Sequence, residues 1–193
     1  MGVACRNGVV LAADTRATAG YLIASKRAQK LYEITERIAA TVAGGVGDTQ
    51  ALVKFLRAES GLFQAREGRL ISVSSVARLA ANILHSQALI PFIANLLVGG
   101  VDGRGPQVYF VDLDGTVTEE WMTATGSGSP VAYGVLESEF KEGMGVEDAL
   151  PIVVRAIKAA MRRDTATGNE LEVMTISETG CRRLSPREVV KLV

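Results

Sequence analysis

Apolar and polar positions alternate along the first forty residues with the two-residue period of β-strands. Val3 to Cys5 and Val9 to Ala13 flank Arg6-Asn7-Gly8, an Asn-Gly hairpin signal. Leu31 to Ile34 and Ile38 to Ala43 continue the pattern, and Gly44-Gly45-Val46-Gly47-Asp48 ends it. From there a helix is predicted to about Arg66, with Leu52, Phe55, Leu56 and Leu62 as its apolar stripe and Glu59 as one interruption. A second helix is predicted from about Ser72 to Ala88, with Val76, Leu79, Ala80, Ile83 and Leu84 on one face.

The period then returns to strands at Ile93 to Gly100, Gln107 to Asp112, Val117 to Glu120 and Met122 to Thr125, with Asp114-Gly115 turning one hairpin. Two more helices follow, Ser129 to Phe140 and Val146 to Arg163. In the latter, Ala149, Leu150, Val153, Ile157 and Ala160 share a face. Strands at Leu171 to Ser177 and Cys181 to Leu184 close the pattern. A short last helix opens at Ser185-Pro186-Arg187-Glu188, a capping box with proline at its first position. Hairpin-linked strands argue for mainly antiparallel sheets. Helices arriving in pairs place them outside two packed sheets. The fold class is therefore α+β, a four-layer αββα sandwich, in one domain spanning residues 1–193.

Composition narrows the function classes. The 193 residues are 48% apolar and carry 21 basic and 21 acidic side chains, a net charge of zero. That balance gives no electrostatic reason to expect nucleic acid or an anionic membrane as partner. Cys5 and Cys181 are too few for a disulfide framework and read as two buried thiols in a reducing compartment. Arg6, Asp14 and Arg16 interrupt any leader-like run. The best apolar stretch, Ala88 to Val98, is broken by Pro91 and Asn95 and falls short of the roughly 18 residues a span needs. The expectation is a soluble, cytoplasmic protein.

Several familiar chemistries fail on residue type. A Ser-His-Asp triad needs a histidine base, and the single histidine, His85, sits within a helix pattern and reads as structural. Gly126-Ser127-Gly128-Ser129 has its glycines at the wrong offsets for a nucleophile elbow. Asp112-Leu113-Asp114-Gly115 lacks the later ligands of a calcium loop, and Gly44-Gly45-Val46-Gly47 lacks the lysine of a phosphate loop. No metal and no cofactor are implied. Asp14 and Lys30 taken alone are compatible with an ordinary surface ion pair.

The segments GVVLAADTRATAG, ASKRAQKLY, TVAGGVGDTQ, LLVGG, ATGSGSPVAYGVLE and RAIKAAMRRDTATG together resemble the proteasome β-subunit family, most closely its archaeal single-type members. The resemblance runs through nearly the whole chain. It implies the N-terminal nucleophile hydrolase fold and a threonine-type endopeptidase that degrades unfolded proteins in a barrel-shaped chamber. Asp14, Arg16 and Lys30 fall where the family keeps its active-site acid, arginine and lysine. Ser127, Asp164 and Thr167 match residues that hold the amino terminus, with Thr167 standing where serine is usual. Gly44 matches the backbone donor to the oxyanion, a contact worth about 3 kcal/mol in serine proteases. Ala17, Ala28, Val42 and Val46 match the primary specificity pocket, and Thr18 with Val46 matches the strand-like contacts to substrate backbone. An all-apolar pocket implies cleavage after large hydrophobic side chains.

The family's nucleophile is the hydroxyl of an N-terminal threonine, with its own α-amine as base. Alignment by Gly2 puts that threonine three residues before Met1, a displacement of roughly 10 Å. The chain as given is thus expected to hold the supporting residues without the attacking group, and to be inactive in that form. A chain beginning after the true terminus, a non-catalytic structural subunit beside an active one, and a non-proteolytic use of the fold are the three accounts. Expected partners are other β subunits in a homo- or hetero-heptameric ring, proteasome α subunits, a regulatory ATPase acting indirectly, and polypeptide substrates.

Overall fold

The first hairpin forms as β1 (Gly2–Cys5) and β2 (Gly8–Asp14) in the structure, a computed structural model that describes residues 1–86 and 92–192. Its turn is Arg6-Asn7, with Gly8 already paired to Cys5. None of the three has a positive φ, so the Asn-Gly signal marks this hairpin without the left-handed turn that usually explains it.

A second, unforeseen hairpin follows, β3 (Ala17–Ala19) with β4 (Leu22–Ser25). Its residues are mostly exposed, so no inward face leaves an alternating pattern. Then come β5 (Leu31–Thr35), β6 (Ile38–Gly44), α1 (Val46–Glu67) and α2 (Val73–Ser86). The strands β7 (Ala94–Asp102), β8 (Gly105–Val111), β9 (Val117–Glu120) and β10 (Met122–Thr123) lead into α3 (Ser129–Glu139) and α4 (Val146–Arg163). The chain finishes with β11 (Leu171–Ser177), β12 (Gly180–Arg183) and α5 (Pro186–Val190). Ala88, the expected end of the second helix and start of the longest apolar stretch, lies outside the described residues.

Every strand pairing is antiparallel among the described residues. One five-stranded sheet has the order β10-β1-β2-β11-β12 and the other β5-β6-β7-β8-β9. Val9, Leu11, Leu31, Ala39, Val108, Met174 and Ile176 join the two sheets in a buried middle layer. Residues of α3 and α4, among them Leu136, Val153 and Ile157, cover the outer face of the first sheet. Residues of α1 and α2, including Leu52, Leu56, Val76 and Leu84, cover the second. The result is the αββα sandwich that the order of elements predicts.

The α1 stripe is shifted from its expected position. Its buried residues are Thr49, Leu52, Val53, Leu56 and Ser60, while Phe55 and Leu62 are 55% and 41% exposed. Small polar residues sit on the buried face and large apolar ones off it, so side-chain size misplaces the stripe. Cys5 is buried as expected, but Cys181 is only half-buried. Burial pushes both thiols up to about 12, with Glu33 adding to the effect on Cys181. No helix among the described residues is long and apolar enough to cross a membrane.

Helix starts depend on distant residues. The Val73 N–H at the start of α2 donates to Asp102 Oδ2 (2.9 Å), and the Val146 N–H of α4 donates to Asn7 Oδ1 (2.9 Å). The start of α2 is also capped locally, Ser72 Oγ accepting from the Ser75 N–H, and α5 carries its predicted capping box between Ser185 and Glu188. The last residues of β2 and β6, the start of α3 and the end of α4 line one cavity.

Candidate active site

That cavity has a volume of about 240 Å³. Met1 continues β1 into it, donating its amine to Ala12 O (2.8 Å) and accepting from the Ala12 N–H (2.9 Å). Burial drives the pKa of this amine down to about 5; the Asp14 charge opposes the shift and Lys30 adds to it.

Asp14, the last residue of β2, is buried and held by three donors. Lys30 Nζ lies 2.7 Å from Oδ1, while the backbone N–H groups of Arg16 and Gly168 reach Oδ2 at 3.0 and 2.9 Å. Lys30 comes from the segment that enters β5. Tyr32 Oη donates to Gln29 O (2.8 Å), Gln29 Nε2 donates to Leu31 O (3.1 Å), and the Val42 N–H donates to Lys30 O (3.0 Å). The ammonium group is therefore aimed by backbone pinned on both sides of it.

Arg16 turns away from this pair and fastens the loop after α4, donating through Nη1 to Thr165 O (2.7 Å) and through Nε to Asn169 Oδ1 (2.9 Å). The guanidinium crosses Gly168 so closely that a Cβ there would lie 2.3 Å from Nη2. Only glycine allows both that contact and the Gly168 N–H bond to Asp14.

Beyond the loop, Ser127 Oγ and Thr167 Oγ1 both donate to Asp164 Oδ2, at 2.6 and 2.5 Å. Burial acts to raise the Asp164 pKa. Hydrogen bonds from Ser127, Thr167 and the Ala166 N–H, with the Lys30 charge, outweigh it and hold the carboxyl below its usual range. Ser127 and Thr167 line the cavity, and Asp164 stands behind them.

Gly44 closes β6 with φ +119°, and a Cβ on it would fall 2.1 Å from Ile93 O. The next N–H, of Gly45, donates to Ile93 O (2.7 Å), and the Ile93 N–H donates to Asp48 Oδ2 (3.0 Å). Ala17, Thr18, Ala28, Val42 and Val46 also line the cavity, with no charged side chain among them.

All the residues singled out from the sequence thus gather at one place. Sequence reasoning passed over Thr165, which acts through its backbone carbonyl, and Gly168 and Asn169, whose roles depend on the distant Arg16 side chain. Among the described residues, no three His, Cys, Asp or Glu side chains cluster as a metal site would require.

Comparison with known proteins places the chain in a family. The family described as "Proteasome subunit" matches residues 1–176. "Proteasome subunit beta" of Methanothermobacter thermautotrophicus is 46% identical over 194 aligned positions, covering 100% of this chain and 92% of that protein. Its counterpart from Methanopyrus kandleri is 46% identical, covering 100% and 93%. That of Methanoculleus marisnigri is 49% identical over 179 positions, covering 92% and 84%. With the sandwich fold and full-length similarity in agreement, the chain belongs to the proteasome subunit family, as a β-type subunit.

Proposed function

We propose that this chain, a single β-type domain over residues 1–193, serves as the peptide-cleaving β subunit of a proteasome core particle. The chemistry is threonine-type hydrolysis, with the hydroxyl of a free N-terminal threonine presented in the cavity that β1 enters. The observation that carries the reading is Asp14, buried at the cavity and bonded by Lys30 Nζ and by the backbone N–H groups of Arg16 and Gly168.

The terminal amine takes the hydroxyl proton as the oxygen attacks the scissile carbonyl, and returns it to the leaving amine as the C–N bond breaks. Water then hydrolyses the ester and frees the hydroxyl. Lys30 disfavours protonation of the amine and stabilises the alkoxide, and Asp14 positions Lys30. The Gly44 N–H receives the oxyanion, a role that needs glycine where backbone must approach substrate closely. Ser127, Asp164 and Thr167 hold the terminus, and Arg16 braces the loop carrying two of them.

Ala17, Ala28, Val42 and Val46 form an uncharged pocket for a large hydrophobic side chain, with Thr18 and Val46 pairing to substrate backbone as an added strand. The subunit works in a heptameric β ring against α subunits, on unfolded polypeptides delivered by an ATPase, in the cytoplasm. The alternative is a structural subunit that shapes the chamber without cutting.

The test is hydrolysis of fluorogenic hydrophobic peptides by assembled particles. The chain is compared with a form preceded by residues that expose an N-terminal threonine. Turnover confined to the threonine form is expected. A threonine form that folds and assembles but does not cleave would leave the structural reading.

A further inference from the structure

Glu172 is a carboxylate close to the site to which the cleavage chemistry assigns nothing. It lies on β11 opposite Ala13, one residue before Asp14 in β2. Its Oε1 accepts from Arg183 Nη1 at 2.6 Å, and the other arm of that guanidinium, Nη2, donates to Leu31 O at 2.9 Å. Arg183 therefore bridges Glu172 to the carbonyl immediately after Lys30.

Glu172 Oε2 is buried with no hydrogen-bond partner. A carboxylate oxygen so placed is unfavourable for folding by itself, which is a reason to ask what else the group does. Burial raises its pKa, against the opposing pull of Arg183 and the Lys30 N–H.

We propose that Glu172 and Arg183 are positioning residues, a clamp that fixes the Gln29–Leu31 backbone so that Lys30 stays seated on Asp14. Neither touches substrate. Arg183 grips the Leu31 carbonyl while remaining bonded to Glu172, and the Val42 N–H holds the carbonyl of Lys30 itself. Asp14 grips the ammonium end of the same residue, so Lys30 is held from backbone and side chain at once. The inference rests on the threonine-hydrolase reading for its catalytic consequence but not for the clamp itself.

Two measurements separate those levels. On the chain as it stands, reductive methylation is followed residue by residue by mass spectrometry, with exposed Lys26 and Lys141 as references. Glu172→Ala and Arg183→Met are expected to speed modification of Lys30 relative to the references, and Glu172→Gln, which keeps the acceptor, to leave it near the parent rate. Unchanged Lys30 reactivity in both Glu172→Ala and Arg183→Met overturns the clamp. Arg183 is exposed, so its variant serves if Glu172→Ala does not fold.

On the threonine-bearing form, Glu172→Ala is expected to lower kcat at least about tenfold with KM unchanged, since a misplacement of about 1 Å can cost about 10²-fold. Glu172→Gln is expected to recover most of the loss. Equal loss in Ala and Gln variants would make the effect one of charge and overturn positioning. Lys30→Ala is the control. If that variant keeps full activity, the threonine-hydrolase reading fails while the methylation result still decides the clamp.

Discussion

Lys30–Asp14 and Arg104–Glu119 are both ion pairs, and their surroundings differ in every respect that matters. The first is 2.7 Å long, with side chains 22% and 11% exposed; the second is 3.4 Å long, with side chains 62% and 47% exposed. Asp14 receives its three donors in a buried setting, whereas Arg104 and Glu119 share only the Tyr109 hydroxyl and meet at the surface, where water and salt screen them. The comparison shows what turns a charge pair into chemical equipment. Independent anchoring fixes one geometry, and a cavity beside it lets the charge act on another group.

The largest effect is expected from Lys30→Ala in the threonine-bearing form. Cleavage should fall by about 10² to 10⁴, the range of a positioned proton-transfer system, with assembly preserved. Peptide hydrolysis and gel filtration check both, and retained turnover would reduce the pair to the status of Arg104–Glu119.

The low dielectric of the same cavity gives a pH signature. The Met1 amine falls from its ordinary 8.0 to about 5 in the folded chain, so the unfolded chain binds more protons between those values. Stability should therefore rise with pH from 5 to 8 and level off above, with a ceiling of about 4 kcal/mol. Urea unfolding in a His85→Gln background, which removes the one side chain type that normally titrates in this window, measures it. A flat profile would mean that the amine is not desolvated.

Gly44→Ala comes next, with an expected loss of roughly 2–3 kcal/mol from the Cβ overlap with Ile93 O and the strained φ. The urea midpoint reports it. A loss below about 0.5 kcal/mol would show that this strand end yields easily. Arg104→Ala should cost under about 1 kcal/mol and leave cleavage unchanged. A larger loss would erase the contrast between the two pairs.

Elements with local signals can be read from the sequence. Asp114-Gly115 turns β8 into β9 with Gly115 at φ +90°, and Ser185 with Glu188 caps α5. The Ala149-to-Ala160 stripe of α4 is buried throughout. What local reading misses depends on distance. Asn7 serves α4, far along the chain, rather than its own turn, and Asp102 serves α2. The β3–β4 hairpin packs little against the core and leaves no periodicity.

The site shows the same limit more strongly. No spacing rule connects Asp14, Lys30, Ser127 and Asp164, and their grouping was accessible only through family resemblance. Thr165 and Leu31 contribute backbone carbonyls, which every residue possesses, so nothing in their identity announces the contacts they make.

The most direct test of the central claim identifies the atom that attacks. A hydrophobic peptide bearing an electrophilic carbonyl is incubated with the threonine-bearing form and with its Lys30→Ala variant, and the covalent adduct is mapped by mass spectrometry. The expected result is a single adduct on the terminal threonine, lost in the variant. An adduct elsewhere, such as on Cys181, or labelling indifferent to Lys30, would contradict the account.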